Sequence, residues 1–224
     1  WTEVNGLTAS SYTITGLTAS TAYSVQVQAD CELDGTSTWL SGNFTTAYEI
    51  PFLQEFGSVI PADWSQKSGL LSSVMGGAAL ASGSGWNFGA GNGVFDNHAR
   101  TNIYGSSCYR WLLTPVISMD ANVQLTFDLA LTAYSGTMTA AATTGTDDKF
   151  VVLISTNGGE TWTILRQYDN AGSEYVYNNI PTAGEEVSIN LSSYGSDNVI
   201  IAFYGESTTS NADNNLHIDN VKLD

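Results

Sequence analysis

Apolar and polar residues alternate with a period of two along much of this chain, and no stretch holds a convincing apolar period of 3.6. Val123, Leu125, Phe127, Leu129 and Leu131 alternate with Gln124, Thr126, Asp128 and Ala130, which predicts an antiparallel strand with one buried and one wet face. Residues 199–203, Val-Ile-Ile-Ala-Phe, are apolar without interruption, as in a central strand. Residues 216–223 predict a closing strand whose parity changes between Ile218 and Val221, the signature of a β-bulge. Near the start, Tyr12 and Ile14, then Tyr23, Val25, Val27 and Ala29, then Phe44 predict short strands. A GLTAS segment precedes each of the first two, at 6–10 and 16–20, with Gly supplying the turn. Residues 150–155 form an apolar run that enters Asn157-Gly158-Gly159, a hairpin turn, and leaves through Thr161-Trp162 into a second strand. The fold class that follows is all-β.

Between these strands lie Gly-, Ser- and Asn-rich loops at 83–97, 135–147 and 205–215, the places where binding is commonly carried on a β scaffold. Trp86, Phe88 and Phe95 sit in the first of them, and Trp86 is the leading candidate for a sugar-stacking platform, with Tyr104 and Tyr109 beside other loops. Tyr134, Tyr175 and Tyr177 are placed similarly, and the plainer alternative is that all these rings cover the open ends of a sandwich. With 22 acidic against 6 basic residues the formal net charge is −16, which disfavours nucleic acid and anionic lipid as partners. The same balance suits a hard cation such as Ca²⁺, or simply keeps a secreted protein in solution. Abundant Ser, Thr, Gly, Asn and Tyr with few Lys and Arg predict a secreted or cell-surface setting. No segment approaches the roughly 18 apolar residues a membrane helix needs. Trp1 is not a natural start, so neighbouring domains of a longer chain are expected. Cys31 and Cys108 belong to no CxxC pair; they could bridge or stay free, and free thiols are the default.

Several segments resemble known families. Residues 155–162, S-T-N-G-G-E-T-W, fit the Asp-box pattern, which is usually a structural hairpin. The run from Gly16 to Ala47 resembles the last three strands of a fibronectin type III domain, with Leu17 as the buried leucine and Tyr23 as the tyrosine-corner residue. Trp39 and Phe44-Thr45-Thr46 fit that family's ending. The match covers about half a domain, too little to close a sandwich alone. Residues 47–51 read as a linker, which divides the chain into a partial fibronectin type III module, 1–47, and a second domain, 48–224. In the second domain Phe52-Leu53-Gln54-Glu55-Phe56 with Pro61 and Trp64, then WLLTPVI at 111–117, DKFVVLIS at 148–155 and IDNV at 218–221 follow in an order similar to the cleaved-adhesin domains of gingipains and the choice-of-anchor J domains. That resemblance implies a MAM-like jelly roll, an antiparallel β-sandwich on secreted or surface-attached bacterial proteins. It also implies a Ca²⁺ site near the sheet edge, nominating Asp148 and Asp219, with Glu55 and Asp96 as further ligands. The family often has an acid directly after the opening Phe, where this chain has Gly57.

Enzyme readings fare poorly. Sialidases carry several Asp-boxes and an arginine cluster, whereas this chain has one box and only Arg100, Arg110 and Arg166. No spacing marks a carboxylate pair for glycoside hydrolysis, and nothing around Cys108, His98 or His217 supports an activated thiol. The glycine-rich stretches lack the strand-to-helix setting of phosphate-binding loops. The expected function is therefore a non-catalytic surface adhesion or ligand-binding module, with a glycan or a host or matrix protein as partner. An accessory domain of a larger secreted hydrolase and a structural spacer are the alternatives.

Overall fold

The computed structural model describes residues 1–31, 35–90, 94–135, 140–195 and 197–224. The fibronectin-like run and the expected loops 83–97 and 135–147 each include residues outside that set. The chain divides into two compact units, Trp1–Ala47 and Tyr48–Asp224.

In the first unit β1 (Ala22–Val27) and β2 (Leu40–Thr45) pair antiparallel, with Tyr23 opposite Phe44 and Val27 opposite Leu40. The Tyr23 and Phe44 rings stack at 5.7 Å, and the Thr18 N–H donates to the Tyr23 hydroxyl at 2.9 Å. Gly6 and Gly16 adopt positive φ, as the two turn segments require. The strand expected around Tyr12 and Ile14 does not form, because those residues find no ladder and remain exposed. Leu40 is 76% exposed and Val27 62%, so this ribbon buries little apolar surface, and two-stranded ribbons are marginal on their own. Limited proteolysis should therefore cut within 1–47 first and leave 48–224 protected. Persistence of 1–47 as a resistant fragment would contradict this.

The second unit is a β-sandwich. In chain order its elements are β3 (Tyr48–Glu49), β4 (Phe52–Gln54), β5 (Ser65–Ser68), α1 (Leu71–Met75), β6 (Ala81–Ser82), β7 (Trp86–Gly89), β8 (His98–Ile103) and β9 (Cys108–Leu113). They are followed by β10 (Ile117–Ser118), β11 (Gln124–Ala133), β12 (Lys149–Ser155), β13 (Thr163–Asp169), β14 (Tyr175–Val176), β15 (Glu185–Asn190), β16 (Asn198–Ser207) and β17 (Asn214–Leu223). Among the described residues these strands make a nine-stranded sheet, ordered β14-β13-β12-β16-β9-β5-β6 with β10 and β3 off that path, and a six-stranded sheet, ordered β15-β11-β17-β8-β7 with β4 beside β17. The two sheets make an all-β, jelly-roll-like sandwich.

The main core lies between the sheets. Phe127 of the smaller sheet meets Phe203 at 5.2 Å and Phe150 at 6.2 Å, both from the larger sheet. The run 199–203 is apolar on both faces because the outer face of the larger sheet carries a second core. There Trp111, Val151, Leu153, Ala202 and Tyr204 are covered by Leu71 and Val74 of α1 and by Trp162. At five residues α1 is too short to show a helical period. Trp162 belongs to the Asp-box hairpin, which closes on itself: the Ser155 hydroxyl donates to Asn157 Oδ1 at 2.9 Å, and the Thr161 N–H donates to the same atom at 3.0 Å. The box therefore acts as a structural clip that delivers a tryptophan to the sheet.

The expected bulge is present. Thr126 faces Lys222 while Asp128 faces Asp219, so Asn220 and Val221 together oppose Phe127. Asn220 takes φ 49°, and the extra residue returns Val221 and Leu223 to the core face.

Candidate functional site

On β8, Ala99, Thr101 and Ile103 point inward, which turns His98, Arg100 and Asn102 to the outer face of the smaller sheet. The register of β17 sets Asn215 opposite Asn102 and His217 opposite Arg100. Asn87 of β7 lies opposite Arg100 on the other side. The alternation of two strands close in sequence and a third more than a hundred residues away thus places one row of polar side chains across a rigid surface. Tyr134, just beyond β11, closes one side; its N–H donates to the Asp213 carbonyl at 3.3 Å, and its own carbonyl accepts from Asn215 Nδ2 at 3.4 Å. Asn87, Arg100, Asn102, Tyr134 and Asn215 line a cleft of about 520 Å³. Asn102 is held in place by donating to Asp213 Oδ1 at 2.7 Å and to the Asn214 carbonyl at 2.9 Å.

Beside this row lies a buried polar chain. His217 Nδ1 is 2.8 Å from His98 Nε2, and His217 Nε2 is 2.9 Å from the Thr132 hydroxyl. Both rings are fully buried, and the Phe95 ring packs edge-on against His98 at 5.9 Å. Burial first, then the Arg100 charge, pushes His98 down to about 4. Burial, the neighbouring His98 and Arg100 push His217 down to about 3. Two neutral imidazoles that hydrogen-bond to one another stiffen the sheet next to the cleft.

The candidate residues read from sequence do not gather at this place. Trp86 is 3% exposed: the alternation Trp86, Asn87, Phe88 makes β7, which sends the indole into the core and Asn87 out. An exposed Trp86 platform is thereby replaced by a core ring. Tyr104 is 51% exposed in the turn after β8, and Tyr109 packs against the second core on the outer face of the larger sheet. The loop expected at 205–215 contracts to 208–213, since β16 runs to Ser207 and β17 begins at Asn214. Asp147 fastens it, with its Oδ2 accepting the N–H groups of Thr208, Thr209 and Ser210 at 2.7, 2.7 and 3.1 Å. Burial acts to raise the Asp147 carboxyl, but those donors outweigh it and hold it well below the usual carboxylate range.

The four nominated calcium ligands do not form one shell. Asp148 is fully buried beside Asn214, at the start of β17; its Oδ2 accepts from the Gly145 N–H at 2.8 Å and from Asn214 Nδ2 at 2.9 Å. Burial raises this carboxyl, and its Oδ1 has no partner. Asp219 lies five residues further along the same strand, roughly 17 Å away at the usual rise. Burial raises its carboxyl too, with the Asp128 and Glu55 charges adding to the effect. Asp96 is exposed. Among the described residues no three His, Cys, Asp or Glu side chains converge in a way that could hold an ion, and calcium needs six to eight oxygens. The side chains present do not fit a calcium site built from this set. Both thiols are free: Cys31 is exposed, while Cys108 is buried with its Sγ 3.5 Å from the Asn102 carbonyl. No helix among the described residues is long and apolar enough to cross a membrane.

No family model matches the chain, and no curated protein does. Among solved structures, a cleaved adhesin domain of the Lys-gingipain of Porphyromonas gingivalis is 16% identical, with 77% of this chain and 96% of that one covered at a TM-score of 0.51. A second cleaved adhesin domain of the same protein is 14% identical, covering 77% and 97% at a TM-score of 0.48. A mutant of a family 29 carbohydrate-binding module is 10% identical, covering 77% and 90% at 0.42. The chain thus shares its fold with a gingipain cleaved adhesin domain, and at this identity the likeness extends to the fold alone.

Proposed function

We propose that this chain is a non-catalytic binding module that takes a carbohydrate into the cleft on the outer face of its smaller sheet. The observation that carries this reading is the meeting of three carboxamides, one guanidinium and one exposed tyrosine ring in a single cleft of about 520 Å³. A sugar presents hydroxyls that both donate and accept; Asn87 and Asn215 each keep one N–H as well as a carbonyl oxygen, while Asn102, whose two N–H groups are already used, offers its carbonyl oxygen. The sugar's C–H faces lie against an aromatic ring, and Tyr134, 54% exposed, is the one aromatic among the described residues that line the cleft. The volume suits a few sugar units. The adhesin domain that shares the fold is named for adhesion, so a surface-displayed, secreted setting comes to this chain as part of the proposal. The acidic composition supports that setting, with a glycan rather than nucleic acid as the partner.

A glycan array probed with the full chain tests this. Wild type should bind a defined set of glycans, and Tyr134→Ala should weaken that binding by about tenfold, the worth of one stacked ring. Tyr104→Ala should leave it unchanged. Silence across the array, or equal loss in both variants, would overturn the reading.

A further inference from the structure

We propose that the glycan held in this cleft carries an isolated carboxylate, recognised by Arg100; the inference rests on the carbohydrate-binding reading above. The chain has six basic side chains, and four have clear partners. Arg110 donates to the Ser84 carbonyl at 3.1 Å, and Arg166 donates to the Ser188 carbonyl at 2.8 Å while lying 4.6 Å over the Tyr175 ring. Lys149 pairs with Glu206 at 2.8 Å, and Lys222 with Asp224 at 2.5 Å. Among the described residues the other two, Lys67 and Arg100, make neither an ion pair nor a side-chain hydrogen bond, and of these two only Arg100 lines the cleft. It is half-buried in the cleft wall, and among the described residues it has neither an ion-pair partner nor a hydrogen-bond acceptor.

With 22 acidic residues in the chain, a carboxylate for Arg100 would be easy to supply, yet among the described residues lining the cleft its neighbours are amides and a phenol, and the Asp213 carboxylate beyond them is taken by Asn102. The half-buried guanidinium, with its five N–H donors, is thereby left without an acceptor among the described residues. The partner whose geometry matches that planar fork is a carboxylate, which accepts two parallel hydrogen bonds. Asn87 and Asn102 flank Arg100 on neighbouring positions of the same surface, so neutral hydroxyls on adjoining sugars meet neutral amides. The net charge of −16 limits the ligand further. A polyanion would be repelled along its whole length, whereas one carboxylate at contact distance from Arg100 interacts more strongly than the screened field opposes it. An oligosaccharide with one uronate among neutral sugars satisfies both conditions.

The test measures binding of the full chain to matched oligosaccharide pairs that differ only in a C6 carboxylate, with heparin as the polyanion. Wild type should prefer the uronate member by about ten- to a hundredfold, the worth of a charge-assisted pair. Arg100→Gln should bring each pair to parity, and Arg100→Lys should restore only part of the preference. An unchanged unfolding midpoint confirms that the variants are folded. Equal binding of acidic and neutral members by wild type, a preference that survives Arg100→Gln, or heparin outcompeting the uronate would each overturn the proposal. Binding to no member of any pair would instead overturn the carbohydrate reading itself.

Discussion

Phe127→Ala is expected to lower the unfolding free energy of the 48–224 unit by about 3–5 kcal/mol, the usual cost of emptying a buried phenylalanine site. The size follows from position. Phe127 is 1% exposed and is the smaller sheet's contact with both Phe150 and Phe203, whose rings stack parallel at 6.4 Å on the larger sheet. Neither sheet can move in to fill the space without breaking the ladders that β11 makes with β15 and β17. Urea unfolding should show a large drop in midpoint with little change in slope. Leu53→Ala, at a position 54% exposed, should cost under about 0.5 kcal/mol. A loss below about 1 kcal/mol for Phe127→Ala would mean that the core is not bridged at this ring.

The second large effect is a loss of stability in mild acid. His98 and His217 are pushed from 6.5 down to about 4 and about 3 by burial and by the charges beside them. Their unfolded forms take up protons as the pH falls through 6.5, while the folded forms resist until much lower pH. Stability is therefore complete above that value and declines below it, by about 2–4 kcal/mol for the pair between pH 7 and pH 5. Asp148 and Asp219, both raised by burial, act in the opposite sense, because the folded state binds their protons more readily. The destabilising slope between pH 7 and pH 5 should shrink in His217→Gln, whatever that variant costs at pH 7. A flat profile in the wild type across this window would contradict a neutral, buried pair.

The strands legible in sequence are those whose alternation is long. Residues 123–131 declare one buried face, and the parity change between Ile218 and Val221 announces the bulge seen at Asn220. Trp86 was harder, because the glycines around it suggest a loop, although Trp-Asn-Phe is itself a period of two. The cleft was not legible as a unit. Asn87, Arg100, Asn102 and Asn215 each occupy the wet phase of a strand and look like ordinary surface residues there. Only the pairing of β7 with β8 and of β8 with β17 brings them together, and the second of these joins segments more than a hundred residues apart. The histidine pair escaped for the same reason, since His98 and His217 meet across 119 residues. The calcium candidates were chosen by their order along the chain, and β17 sets Asp148 and Asp219 about five residues apart.

The most direct test of the central claim is an amide and side-chain NMR titration of the full chain with a glycan selected from the array. Shifts concentrated on Asn87, Arg100, Asn102, Tyr134 and Asn215 are the predicted result. Shifts confined to the outer face of the larger sheet or to residues 1–47, with the cleft silent, would contradict it.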